Sequence, residues 1–344
     1  MKIRYLASVA AIALAGLPTI AWAQGAAPAA PAPAGQTTTP LRSFDPAYFA
    51  QFAPRTALDM VRQIPGFSIA EGEDRRGLGQ VSSNVLINGE RFSGKSNDVV
   101  SELGRIGAAN VIRIELIDGA TLNLPGLTGQ VVNIVSKVDS LTGQFRWSPR
   151  VRFRRTDPQV LNGEVSASGK AGKIAYTLSL ANNSFRNGNA GTERVLDAAG
   201  NVTDRRYEEL YVNGDEPRIA AGLKYTGDTG QIGNLNLAYQ RRWVRITEDS
   251  DGEVVRDRDY LETEKEYNYE IGGDYLFPLW GGNLKLIGLR RFEHSPFFTR
   301  IFLDFEDRRP REGNSLATRI DETETIARAE YGWKAGKADW QFSL

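Results

Sequence analysis

Residues Asn84–Lys137, NVLINGERFSGKSNDVVSELGRIGAANVIRIELIDGATLNLPGLTGQVVNIVSK, decide how this chain folds. Val85–Ile87, Val111–Ile117 and Gln130–Val135 are rich in β-branched residues and bounded by Gly, Asn or Asp, the pattern of short buried strands. Asn88-Gly89 follows the first of them and closes a hairpin, because a two-residue turn needs the left-handed backbone that Asn and Gly tolerate. Ser96–Ile106 has helical spacing, with Ser96 or Asn97 as N-cap and Gly104 or Gly107 near the end. Upstream, Pro54–Gln63 places Leu58, Met60 and Val61 near helical spacing, and Pro65-Gly66 stops that helix. The result is a predicted α+β domain over residues 54–139, closing at Asp139-Ser140.

Over residues 140–344 the period changes to two. Phe145, Trp147, Val151 and Phe153 alternate with Arg146, Ser148, Arg150 and Arg152. Tyr267, Tyr269, Ile271, Tyr275 and Phe277 alternate likewise with Glu266, Asn268, Glu270 and Asp274. Such strands carry one apolar and one polar face. In a soluble sandwich the apolar faces meet in a core; in an outer-membrane barrel they meet lipid. Long strand candidates, aromatic residues toward strand ends, and short turns alternating with longer polar connections favour the barrel. The tight connections are Lys170–Lys173, Gly227–Gly230, Pro278–Gly282 and Lys334–Lys337, expected on the periplasmic side. Asn187–Asn213, Glu248–Asp259 and Glu306–Asn314 are expected as outer loops, and one long strand as running from Asn283 to Phe305 past a bulge at His294-Ser295-Pro296. This scheme gives about nine strands, too few to enclose the preceding domain, since barrels whose lumen holds a domain need about 22. The sequence is therefore expected to be the N-terminal part of a longer barrel.

Residues 1–23 have the form of a secretory signal: Lys2 and Arg4, an apolar run from Leu6 to Leu17, and Ala21-Trp22-Ala23, with cleavage expected between Ala23 and Gln24. The apolar run is shorter than the ~20 residues of a spanning helix. Residues 24–53 begin as an Ala/Pro-rich tether with nothing to bury. The chain has 344 residues, 42 basic and 42 acidic, so no charge excess points to nucleic acid as a partner. It has no cysteine and a single histidine, His294, which removes disulfides, thiolate sites and a histidine metal cage; no metal or other cofactor is expected.

Four elements in order resemble the plug domain of TonB-dependent outer-membrane receptors: Pro65-Gly66-Phe67 (the family's PGV), VLINGE from Val85, VIRIELIDGA from Val111 (IERIEVLRGP), and GQVVNIVSK from Gly129 (GVINIITK). The resemblance covers Ala57–Lys137 by motif and Gln144 onward by strand pattern alone. It implies an α+β plug followed by antiparallel transmembrane β-barrel strands. It also implies a receptor in the outer membrane of a Gram-negative bacterium that takes up a scarce solute, such as an iron siderophore or an oligosaccharide. The implied partners are TonB with ExbB and ExbD, outer-membrane lipid and lipopolysaccharide, and a small solute ligand. Asp118-Gly119-Ala120 replaces the family's RGP, Thr121–Gly129 departs from its SALYG-like run, and Arg76-Gly77 is an imperfect stand-in for its IRG. No clear TonB box is present; Leu41, Phe44 and Tyr48 are the candidates for that contact. Arg91, Phe92 and Lys95, after the hairpin, are the ligand-binding candidates, beside a role in packing the plug on the wall.

No residue is nominated as catalytic. Carboxylates are abundant, as in Asp249–Glu253, but nothing supplies the apolar setting that tunes two of them apart, and DSDGE lacks the spacing of a calcium loop. Gly77-Leu78-Gly79 lacks the strand and helix of a phosphate loop. His294 has no evident triad partner. Arg205-Arg206, Arg241-Arg242 and Arg308-Arg309 are expected to be solvated charge, ahead of contacts to lipopolysaccharide phosphates or an anionic ligand. The alternatives to an uptake receptor are a structural or adhesive outer-membrane barrel without active transport, and a secreted periplasmic β-sandwich enzyme.

Overall fold

The computed structural model describes residues 40–70, 83–91, 99–122, 129–137, 141–336 and 338–344. The signal-like segment, the Ala/Pro tether, Gly77-Leu78-Gly79, Phe92, Lys95, and Ser96 or Asn97 as N-cap lie outside these residues.

The decisive stretch forms one five-stranded sheet. Its strands are β1 (Arg42–Phe44), β2 (Val85–Ile87), β3 (Glu90–Arg91), β4 (Val111–Asp118) and β5 (Gln130–Ser136), in the order β1-β4-β5-β2-β3. All pairs are antiparallel except β2 with β5, which run parallel. Asn88 at φ 52° and Gly89 at φ 81° make the turn between β2 and β3, as the dipeptide predicts. Three short helices cover one face: α1 (Pro46–Phe49), α2 (Ala57–Val61) and α3 (Val99–Arg105). The start of α2 is fixed by a capping box, in which Asp59 N–H donates to Thr56 Oγ1 at 3.3 Å and Thr56 N–H to Asp59 Oδ2 at 3.0 Å. Helix and sheet side chains interlock in a core that includes Phe49, Val61, Leu103, Ile114, Val132 and Ile134. Phe44 and Phe49 belong to that core, so the domain begins ahead of Pro54: a three-residue strand has no readable period, and only its pairing with β4 reveals it.

The second sheet contains eleven segments: β6 (Thr142–Trp147), β7 (Gly163–Ala171), β8 (Ile174–Asn182), β9 (Phe185–Leu196), β10 (Val202–Asp215), β11 (Pro217–Thr226), β12 (Ile232–Gly252), β13 (Val255–Leu279), β14 (Gly282–Phe305), β15 (Glu312–Ala335) and β16 (Ala338–Ser343). Two runs are interrupted, at Asn183-Ser184 between β8 and β9 and at Glu216 between β10 and β11. The pairing of β9 with β10 continues the register of β8 with β11 across both breaks, so the eleven segments make nine antiparallel runs. The sheet is not closed on itself among the described residues. The four tight turns fall where turn chemistry puts them, with Gly172, Gly230, Gly281 and Gly336 at positive φ.

Four expectations are corrected. Asn187–Asn213 is the hairpin of β9 and β10 rather than a loop. Glu248–Asp259 is strand on both sides of a tight turn between Gly252 and Val255, because cross-strand pairing outweighs the polarity of its side chains. No bulge interrupts β14: pairing with β13 holds one register from Glu264↔Phe297 to Tyr267↔His294, and Pro296 is paired with Arg319 of β15. Val151 and Phe153 lie beyond β6, in irregular chain that follows Ser148-Pro149. A proline cannot donate to a ladder and ends the strand there.

Register sorts the two faces. Phe145, Val165, Leu180, Ile219, Tyr239, Tyr269 and Phe292 are successive cross-strand partners, one apolar row running across seven runs. The next row, one residue away on each strand, is Gln144, Ser166, Ser179, Ala220, Ala238, Glu270 and Arg291 on the opposite face, where Ser166, Ser179, Ala220 and Glu270 are buried. Aromatic residues bound the apolar face at two levels. Tyr267, Tyr269, Phe292 and Trp243 stand at the upper level; Tyr275, Phe277, Tyr331, Trp333 and Trp340 stand near the tight turns. Tyr267 and Phe277 are ten residues apart on β13. That is about 33 Å along a strand and about 25 Å of height at a tilt of ~40°, the height of the apolar band on a transmembrane barrel.

Candidate functional site

Helix α3 carries a charged C-terminal turn beneath an apolar face, because Val99 and Leu103 point into the domain core while Glu102 and Arg105 turn away from it. Arg105 reaches the polar face of the second sheet. Its Nε donates to Glu164 Oε1 on β7 at 2.9 Å, and its Nη1 donates to Glu102 one turn back. The guanidinium is almost fully buried, at 6% exposure. Burial pulls its pKa down, but Glu102 and Glu164 more than offset that and raise it, so Arg105 is a permanent cation there. A second arginine, Arg146 on β6, approaches Glu164 at 3.8 Å. The α+β domain is thus fastened to the polar face of the sheet by a shared ion pair.

Beside this contact lies a cavity of about 200 Å³. Ile87, Asn88, Glu102, Arg105 and Asn110 line it from the α+β domain; Ser168, Thr177, Gly222, Asn234 and Asn236 line it from the sheet. Amide and hydroxyl side chains share it with Ile87, Ile106, Tyr176 and Leu223, and beside the paired Glu102 and Arg105 it is lined by Lys137 and Lys224. Farther from the tight turns the same face continues as a ladder of ion pairs. Arg242 is held between Glu216, at 2.8 Å from Nε, and Glu264; Arg258 is held between Glu208 and Glu248. At the far end Asp204 accepts from Arg206 Nε at 2.8 Å and from the N–H of Val254 and Val255 at 2.9 and 3.2 Å, tying β10 to the β12–β13 hairpin. Burial pushes the Asp204 carboxyl up, yet Arg206 and the two amides prevail and hold it at about 2. Asp249 is raised by burial and by Asp257, Asp259 and Glu209 around it.

Of the residues expected at the ligand site, Arg91 ends β3, beyond the Asn88-Gly89 turn, while Phe92 and Lys95 lie outside the described residues. Of those expected at a TonB contact, Leu41 is 60% and Tyr48 40% exposed, but Phe44 is 8% exposed and sits in the core. β1 is hydrogen-bonded along β4, with Leu41 N–H donating to Leu116 O at 2.8 Å, so this stretch is already paired. His294 meets Asp321 at 2.5 Å on the apolar side of the sheet, whereas Ser295, one residue on, turns to the other side and bonds Glu293. Strand alternation thereby separates the histidine from the serine. Of the arginine runs, Arg206 pairs with Asp204, Arg241 lies over Trp243, and Arg309 lies over Phe305. Among the described residues no group of acidic or histidine side chains is arranged to hold a metal ion. The Arg105–Glu164 pair was not foreseen, since nothing local in either stretch signals a partner 59 residues away.

No protein-family model matches the sequence, and no curated protein matches it. Solved structures do. The ferripyoverdine receptor of the outer membrane of Pseudomonas aeruginosa aligns at 13% identity over 89% of this chain and 49% of that one, with a TM-score of 0.25. The ferric yersiniabactin uptake receptor of Yersinia pestis aligns at 12% identity over 88% and 63%, TM-score 0.25. The ferric enterobactin receptor of Pseudomonas aeruginosa aligns at 11% identity over 88% and 60%, TM-score 0.27. The chain spans about half to somewhat under two-thirds of these structures' length. The architecture stands on the chain's own strand registers.

Proposed function

We propose that this chain is a plug-bearing outer-membrane receptor of the TonB-dependent type, which captures a scarce solute outside the cell and admits it between plug and wall when the plug is pulled. The observation that carries the reading is the seating of α3 by Arg105 and Glu164 on the polar face of a sheet whose other face is an apolar band about 25 Å high. A sheet with those two faces is stable with lipid on one side and water or a polar plug on the other. The amide, hydroxyl and charged groups that line the cavity suit passage of a hydrophilic solute, an iron chelate or an oligosaccharide, and no bond of the solute need change. TonB, with ExbB and ExbD, would supply the pull from the inner membrane by adding a strand to the N-terminal segment.

One observation favours a second reading, a structural or adhesive barrel without active transport: the segment around Phe44 is already paired with β4. Accumulation of radiolabelled ferric siderophores and oligosaccharides separates the two. Uptake that needs this gene and disappears without TonB supports the transporter. Protein found in the outer membrane with no TonB-dependent accumulation of any solute supports the structural role, and a protein that stays soluble in the periplasm defeats both.

A further inference from the structure

The cavity beside the Arg105–Glu164 contact is built half from the plug and half from the wall. Its wall side is one row of cross-strand partners, Thr142, Ser168, Thr177, Gly222 and Asn236, on the same polar face as Ser166, Ser179 and Ala220 but two residues nearer the tight turns. Lys224, two residues past Gly222 on β11, extends the lining toward the turn that follows Thr226. The floor is bare at Gly222, where a Cβ would meet only Asn236 Oδ1, at 3.5 Å. The plug side comes from Asn88 in the β2–β3 turn, Ser136 and Lys137 at the end of β5, and Asn110 ahead of β4, with Ile87 and Ile106 among them.

Part of this lining is already committed. Asn88 Nδ2 donates to Ser136 Oγ at 3.2 Å and Ser136 N–H to Asn88 Oδ1 at 2.9 Å, Ser168 and Thr177 share a hydrogen bond at 3.1 Å, and Asn234 donates to Asp274 at 3.1 Å. The side chains of Asn110, Lys137 and Thr142 make no hydrogen bond or ion pair among the described residues. The acidic groups around the cavity meet other cations: Glu102 and Glu164 meet Arg105, Arg146 approaches Glu164, and Asp274 faces Lys285 at 3.6 Å. Lys137 therefore adds a positive charge that none of them answers.

We propose that this cavity holds one acidic sugar ring of the transported solute, a hexuronate, with its carboxylate on Lys137 and its hydroxyls on Asn110, Thr142 and Asn236. A carboxylate on an ammonium makes a charge-assisted hydrogen bond, and amide and hydroxyl groups match the rim of a pyranose, whose C–H faces meet Ile87 and Ile106. Size points the same way. At roughly 30 Å³ per water, 200 Å³ has room for about six or seven waters, which suits a single ring. A whole iron chelate is at least drug-sized and needs a site of about 300–1,000 Å³. Because plug and wall each supply part of the lining, an occupant bridges them: it holds α3 seated, and movement of the plug takes the site apart and frees the sugar near the tight turns. The inference rests on the receptor reading above and narrows its solute to an acidic saccharide.

The test uses the full chain in neutral detergent at neutral pH and about 0.1 M salt, with D-galacturonate and D-galactose, which differ only at C6, titrated by calorimetry. Galacturonate is expected to bind about tenfold more tightly, the factor a hydrogen bond to a charged group supplies. At about 100 times its Kd it is expected to slow hydrogen exchange of the Val99–Arg105 peptide about 100-fold. Lys137→Gln, at an exposed position, is expected to bring galacturonate down to the affinity of galactose and leave galactose unchanged. Gly222→Val, which raises a side chain from the cavity floor in a strand that accommodates it, is expected to abolish binding of both sugars. Equal binding of the two sugars, acetate binding as tightly as galacturonate, a Lys137→Gln protein that keeps the preference, or unchanged α3 exchange at saturation would overturn the proposal. TonB-dependent uptake of a ferric siderophore with no binding of either sugar defeats this inference and leaves the receptor reading standing. A chain that stays soluble in the periplasm defeats both.

Discussion

Neutralising Glu164 tests whether the plug is fastened to the wall at one point. In the Glu164→Gln protein the Arg105 guanidinium, 6% exposed, keeps Glu102 and loses its charged partner on β7, whose side chain is 21% exposed. A hydrogen bond to a charged group is worth about 1.5–3 kcal/mol, and the partial exposure of Glu164 argues for the lower half of that range. Since 1.4 kcal/mol is tenfold in an equilibrium, about 2 kcal/mol makes the detached state of α3 roughly 30-fold more populated. Hydrogen exchange followed by mass spectrometry on the reconstituted protein reads this directly. The peptide containing Val99–Arg105 should exchange 10- to 100-fold faster, while peptides from β13 and β14 keep their wild-type rates. Unchanged exchange in α3, or an acceleration shared equally by the long strands, would refute the idea that this pair holds the plug. Arg105→Ala should do more, about 3–5 kcal/mol, because it leaves Glu102 and Glu164 without their shared cation.

Other outcomes follow from the same geometry. Thr56→Ala removes the acceptor of the α2 capping box and should lower plug stability by about 1 kcal/mol in urea unfolding, whereas Thr56→Ser should be near neutral. Leu103→Ala empties a fully buried site between α3 and the plug sheet and should cost about 2–5 kcal/mol in the same assay. Gly188→Val places side-chain atoms where Arg155 O now packs and should displace residues 148–162, seen as new proteolytic cleavage there while β13 and β14 stay protected. Asp204 is held at about 2, below the ordinary carboxylate value of 3.8, so its stabilisation of the β12–β13 hairpin is complete above about 4 and is lost as pH falls toward 2. It amounts to about 1–2 kcal/mol after screening. The amide resonances of Val254 and Val255 should titrate with a midpoint near 2, and a midpoint near 4 would show that Arg206 and the two amides do not grip the carboxylate.

The motifs and the alternation made much of the fold readable. Asn88-Gly89, VIRIELID and QVVNIVS each carry their conformation in local chemistry, and the structure turns them into neighbouring strands of one sheet. The aromatic alternation in Tyr267–Phe277 and Leu235–Trp243 likewise sets which face is apolar, and the four glycine-bearing turns set where the runs reverse. What stayed hidden depends on meetings between distant segments. Polar composition made Asn187–Asn213 look like loop, yet β9 and β10 pair with each other and β10 with β12, which holds it as strand. The proline of His294-Ser295-Pro296 suggested a bulge, but a missing N–H can be absorbed without a change of register. Phe44 looked available to a partner because three residues show no period; only β4 beside it explains its burial. Arg105 with Glu164, and Arg155 packed over Gly188, belong to the same class, in which each partner is ordinary in sequence and acquires its role from the fold.

A transmembrane wall requires that one face of the large sheet, the apolar one, meet lipid. Single tryptophans placed at Leu180, Ile219 and Leu237, on the apolar parity, and at Ser179, Ala220 and Ala238, one residue away, can be measured in vesicles of brominated lipid, with native tryptophans corrected by the unmodified protein. Strong quenching at the first three positions and little at the second three is the predicted result. Equal quenching at both sets, or none at either, would contradict a transmembrane wall with a plug on its polar side.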